Sequence, residues 1–200
     1  MNTSRTLLAA TVLLISGTAL AQTTPNSPAS ADVQHDINQQ NRIEQGLKSG
    51  QLTTKEASQL EAQQAHINKL EQQDMAKGPM TPQEQAQLKA AQARASQDIK
   101  ADRNNAAKGD ANGASVKRME QDVQHDANQQ QRIENGMQKG QLSSAQAANL
   151  EHGQSKVDQA EAVAGANGGV SARNQANINN RINNQSNRVH YARKNGKQPN

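Results

Sequence analysis

The chain has no cysteine, no tryptophan and no phenylalanine, and Tyr191 is its single tyrosine. Without cysteine there is no disulfide, so packing alone must hold the fold together. There is also no cysteine at which a lipid anchor could be attached. Without aromatic rings there is no platform on which bases could stack, which disfavours nucleic acid as a partner. Large apolar side chains are scarce too. From Gln22 onward there are 7 Val, 7 Ile, 7 Leu and 4 Met. That composition lies near the disordered regime and argues against a compact globular core. It leaves room for narrow apolar seams between helices. What fills the chain instead is Ala, Gln, Lys and Glu, all good helix formers.

A long apolar run is missing beyond the N-terminus. The one stretch present, Leu7 to Ala21, has 15 residues and is interrupted by Ser16 and Gly17. A spanning helix needs about 20. Arg5, the apolar core from Leu7 to Ile15, and Ala19-Leu20-Ala21 read together as a cleavable signal peptide. Cleavage between Ala21 and Gln22 would deliver a chain with no transmembrane segment to the periplasm or the exterior. Acidic residues vanish after Glu161, while Arg173, Arg181, Arg188, Arg193, Lys194 and Lys197 follow. The net charge of +4 is therefore a C-terminal excess.

What is present is a repeat. Asp32 to Glu61 reads DVQHDINQQNRIEQGLKSGQLTTKEASQLE, and Asp122 to Glu151 reads DVQHDANQQQRIENGMQKGQLSSAQAANLE. Eighteen of these 30 positions are identical at a fixed offset of 90. Each copy carries the same punctuation. Gly50 suits a helix end, and Thr53 with Glu56 forms a capping box that opens the next helix. Thr81, Pro82 and Glu84 repeat the device, as do Ser143 and Gln146. Ser171 faces Asn174 where Glu or Gln belongs, so that cap is weaker.

The pattern predicts an all-α chain of two tandem modules of about 90 residues. Each has roughly three helices in antiparallel hairpins, loosely packed, with disordered ends. The boundaries are a signal peptide at 1–21, a disordered segment at 22–31 and module 1 at 32–105. A linker at 106–115, module 2 at 116–194 and a disordered tail at 195–200 follow. In module 1 the helices are placed from about Val33 to Ser49, Thr54 to Ala76 and Pro82 to about Asn104.

Three chemistries suggest themselves on these residues. The segment from Gly50 to Glu56 resembles the second half of an EF-hand loop, but Leu47 and Ser49 stand where calcium ligands belong. These connections are therefore read as helix stops followed by capped starts. Asp32, His35 and Asp36, repeated as Asp122, His125 and Asp126, form a candidate site for a divalent transition metal. Arg173, Arg181, Arg188, Arg193 and Lys194 form a candidate anion-binding face. Its expected partners are anionic envelope components, lipid headgroups or lipopolysaccharide, or another protein. No serine or threonine sits beside a positioned base, so no enzyme and no cofactor are expected.

The run Arg42-Ile43-Glu44-Gln45-Gly46, continued through Gly50, Leu52, Thr53, Glu56 and Ala57, resembles the R-I-x-x-G-x-x-x-G-x-L-T-x-x-E-A modules of a group of uncharacterised exported proteobacterial helical proteins. The resemblance implies a periplasmic helical protein. Leu142-Ser143-x-x-Gln146 is similar to the L-T-x-x-Q mark of periplasmic stress proteins. Taken together, the sequence suggests a non-enzymatic exported helical-repeat protein that acts by binding. A weak divalent-metal-binding protein using the His–Asp sites is the alternative, and an envelope-stress chaperone or adaptor a third. Export has a direct check: the intact mass of the soluble periplasmic protein should match a chain that starts at Gln22. A soluble species retaining residues 1–21 contradicts this.

Overall fold

The computed structural model describes residues 28–196. The expected signal peptide, its cleavage point, residues 22–27 and residues 197–200 lie outside the described residues. Among the described residues there are six α-helices and no strand: α1 (Pro28–Lys48), α2 (Thr54–Lys77), α3 (Pro82–Asn104), α4 (Ala114–Gln138), α5 (Ser144–Gly165) and α6 (Ala172–Asn195). The predicted helix starts at Thr54 and Pro82 coincide with the observed ones. Three boundaries move. α1 begins inside the segment expected to be disordered, because Ala29 packs on a buried cluster and the Ser30 hydroxyl reaches Glu134. α4 begins inside the expected linker, and α6 runs one residue into the expected tail.

The shared motif is accounted for by the fold. Arg42 Nη2 donates to the Ser96 carbonyl at 3.0 Å, and Arg132 Nη2 to the Ser186 carbonyl at 3.1 Å. Ile43, Leu52 and Ala57 are fully buried, as are their counterparts Ile133, Leu142 and Ala147. A Cβ on Gly46 would lie 2.6 Å from Leu52, and one on Gly136 would lie 2.6 Å from Leu142. Gly50 and Gly140 take φ of 69° and 62°, a left-handed conformation that side chains disfavour. Thr53, Thr81 and Ser143 form complete capping boxes, whereas Ser171 makes only the forward bond to Asn174.

The two halves pack on each other more than on themselves. α2 lies along α5, and α1 along α4, each pair antiparallel. Residues 90 apart touch where α2 meets α5. The Asn68 amide donates to Asp158 at 2.6 Å, and the Ser155 hydroxyl to the Ala65 carbonyl at 2.9 Å. A pseudo-twofold axis therefore runs between these helices, with α3 and α6 outside. Both main apolar clusters draw on both halves. One joins Ile43, Leu47, Leu52 and Leu60 to Val116, Met119 and Val123. The other joins Val33, Ile37 and Met75 to Ile133, Met137 and Leu150. The two larger seams are thus filled from both modules, while Ile67, Leu88 and Ala95 form a smaller seam within the first module alone. Leu60→Ala should lower stability by about 3 kcal/mol. Urea unfolding followed by circular dichroism should remain one transition, since both larger clusters are shared between the halves. Two resolved transitions would contradict the shared core.

Candidate cation site in the buried carboxylate cluster

On α2, Glu61, Gln64, Asn68 and Glu71 recur at helical spacing and face α5. Their counterparts on α5 are Glu151, Gln154, Asp158 and Glu161, and all eight are at most 1% exposed. α1 adds Asp36, Gln39 and Gln40, and α4 adds Asp122, Asp126, Gln129 and Gln130. Among the described residues no Lys, Arg or His is buried with them. An ionised carboxylate without a partner in such a place is strongly disfavoured. The interior therefore demands protons or a cation from outside.

The demand is sharpest at Glu61 of α2, Asp126 of α4 and Glu161 of α5. One carboxylate oxygen from each lies within 4.8 Å of the others. The Gln40 amide donates to Glu61 Oε2 at 3.0 Å. Neither oxygen of Asp126, neither oxygen of Glu161 and not Glu61 Oε1 meets a donor. The buried amide oxygens of Gln40 and Gln154 are also without a donor. An all-oxygen donor set suits a hard divalent cation. Oxygens around Ca²⁺ lie about 2.3–2.6 Å from the ion, so two of them are separated by up to about 5 Å. Separations within 4.8 Å are compatible with that size.

The pseudo-twofold axis generates a second cluster from Asp36, Glu71 and Glu151. Here the Gln92 amide of α3 reaches Asp36 at 3.5 Å and Glu71 at 3.4 Å. Gln130 donates to Glu151 at 2.9 Å. The position equivalent to Gln92 is Ile182, which offers no donor to the first cluster.

Burial dominates the electrostatics. It pushes Asp122, Asp126 and Glu151 up to about 7. Glu61, Glu71, Asp36, Asp158 and Glu161 are pushed well above the usual carboxylate range by burial, and then by one another's charge. Asp32, half-buried, rises to about 6 for the same first reason, with Lys89 pulling the other way.

The structure divides the expected His–Asp sites. Asp36 and Asp126 enter the two buried clusters, and Asp122 is buried beside Asp126. His35 and His125 stay on the solvent side, His35 within 3.1 Å of the Gln39 amide. A helix turns about 100° per residue, so the buried face carrying Asp36 and Asp126 leaves the preceding histidine outside. Sequence reading missed Glu61, Glu71, Glu151 and Glu161, which come from a different helix than the His–Asp motif.

The expected anion-binding face is also divided. Arg188 donates to the Asn149 carbonyl at 2.9 Å, and Arg193 to Gln141 Oε1 at 2.9 Å. Arg103 makes the same clamp on Gln51 at 2.8 Å, so Arg193 keeps a role common to both modules. Arg173, Arg181 and Lys194 are exposed.

No family model, curated protein or solved structure matches this chain. Among the described residues no helix is long and apolar enough to cross a membrane.

The raised carboxyls fix the sign of the pH response. A folded state with raised carboxyl pKa values holds more protons than the unfolded chain, so stability falls as pH rises. The contribution is complete below about pH 4 and is lost as pH climbs through about 7, the level of Asp122, Asp126 and Glu151. With a chelator present, the melting temperature should fall steadily from about pH 4.5 to about pH 8. A melting temperature that rises over this range would refute the assignment.

Proposed function

We propose that this is a non-enzymatic exported helical protein that binds a calcium-sized divalent cation in its interior. The observation that carries the proposal is the trio Glu61, Asp126 and Glu161, drawn from three helices and buried completely, five of whose six carboxylate oxygens meet no hydrogen-bond donor among the described residues. Bidentate binding by three carboxylates would supply six oxygens, within the number that calcium takes. The ion would neutralise charge that no side chain in the interior neutralises. Because the ligands come from both halves, binding would tie α2 to α4 and α5. The role is then a fold stabilised by its ion, with stability rising as the ion exceeds its dissociation constant. Placement in the periplasm follows from the signal-peptide reading and from the resemblance to exported helical modules. The chaperone reading has less support, since Val163 and Tyr191 are the large apolar side chains left exposed among the described residues.

Calorimetric titration of the mature chain with Ca²⁺ near neutral pH should give one saturable site and a raised melting temperature. The D126N/E161Q double variant should lose at least about tenfold in affinity, as expected when two charged ligands become neutral. In chelator the same variant should melt above the parent at neutral pH, because it no longer buries those charges. Equal Ca²⁺ affinity in parent and variant, or no binding by the parent at millimolar Ca²⁺, overturns the proposal.

A further inference from the structure

The duplication supplies a control inside the molecule. Between α5 and α6 runs an open groove of about 940 Å³, with Lys69 of α2 at its edge. Ligand clefts span about 300–1,000 Å³. Lys69, His152, Lys156 and Arg181 line this one, and no Asp or Glu does. Lys69, Lys156 and Arg181 are exposed, and no carboxylate of the described residues pairs with them. The α6 wall also presents Asn174, Asn177, Asn180 and Asn184. Ile178, Ala160 and Ala164 give it an apolar floor.

The equivalent positions of the first module hold other residues. Ala62 stands for His152, His66 for Lys156, Leu70 for Ala160, Asp74 for Ala164, Glu84 for Asn174 and Ala91 for Arg181. His66 to Lys156 and Ala91 to Arg181 add positive charge, Asp74 to Ala164 and Glu84 to Asn174 remove an acid, Leu70 to Ala160 removes bulk, and Ala62 to His152 adds an imidazole on the second module's side. Lys69 and Arg94, which stand for Gln159 and Asn184, run the other way. The core has not diverged in this fashion: Ile43 and Ile133, Leu52 and Leu142, Leu60 and Leu150 remain identical. The α5–α6 face of the second module is thus free of acids where its first-module counterpart carries Asp74 and Glu84.

We infer that the α5–α6 groove binds a linear acidic polysaccharide of the uronic-acid type. Arg and Lys would take the sugar carboxylates, Arg181 in a bidentate geometry. Asparagine amides both donate and accept, which suits a chain of hydroxyls. The apolar floor suits the face of a sugar ring. A concave cleft between two helices fits a strand better than it fits the flat surface of a bilayer. Tyr191 is the only aromatic side chain and does not line the groove, so nothing there would stack a base.

The inference does not rest on the cation site, and the test separates the two. Oligogalacturonate of six sugars is titrated into the mature chain in chelator, at about 20 mM and about 300 mM salt. Saturable binding is expected at low salt, weakened about tenfold or more at high salt. K156E/R181E should abolish it, with helicity and melting unchanged. Arg173→Gln, a charge change outside the groove, should leave it intact. A neutral glucan of equal length should not bind. No binding by the parent at low salt overturns the proposal. So does equal loss with Arg173→Gln, which would indicate general charge attraction. Loss by K156E/R181E of binding to phosphatidylglycerol vesicles, without oligogalacturonate binding by the parent, would assign the groove to lipid and overturn it as well.

Discussion

The interface between α2 and α5 governs the rest of the structure, and its peculiarity is a run of acids with no base. A helix pair with few large apolar side chains has to fill its contact surface with something. Here Gln and Asn amides interleave with Asp and Glu carboxyls along the crossing, and Leu60, Ile67, Leu150 and Val157 flank them. Amides can satisfy carboxylates by donating to them, as Asn68 does for Asp158 and Gln40 for Glu61. They cannot neutralise them. The stability of the bundle is therefore linked to whatever brings positive charge into it.

That linkage explains why a chain with so little apolar material folds as one unit. Neither module could keep its acids buried alone, because the face that carries them on α2 is covered by α5. The two larger apolar seams likewise draw on both modules, and only the small one around Ile67, Leu88 and Ala95 lies within one of them. The duplication thus resembles a symmetric dimer joined into one chain, with the self-complementary contacts that a twofold axis requires. Residue 68 meeting residue 158 is the direct mark of that geometry.

Much of the architecture was legible in the sequence. The capping boxes placed the starts of α2, α3 and α5 because they act locally, through a side chain and a backbone amide three residues apart. The start of α1 was not legible, because Ala29 and Ser30 are ordered by contacts with the far module. The acidic interior was harder still. Glu61 and Glu71 sit among Gln, Lys and Ala and read as part of a solvated helix surface. A signal did exist. Where α2 and α5 diverge at most positions, Ala57, Leu60, Glu61, Gln64 and Glu71 recur unchanged as Ala147, Leu150, Glu151, Gln154 and Glu161. Surface positions drift, so a glutamate kept as faithfully as a buried leucine marks the same face. Identity between copies marks His35 and His125 as well, although both are exposed and His35 meets the Gln39 amide one turn on.

The two carboxylate clusters then pose a question that symmetry answers. They are made of equivalent positions, yet Gln92 of α3 reaches into one, and its counterpart on α6 is Ile182, which has no donor to offer the other. A glutamine there donates to two acids at once and lowers their need for an outside charge. An isoleucine at that place donates nothing and keeps water away, so Asp126 and Glu161 retain theirs in full. Had the duplicated helices kept glutamine at both positions, the interior would be two equivalent, internally bonded networks. The exchange breaks that equivalence at the third helix of the module while leaving Glu61, Asp126 and Glu161 in place. If the first cluster holds a cation as proposed, an apolar side chain would raise its affinity, through the hydrogen bond it fails to offer.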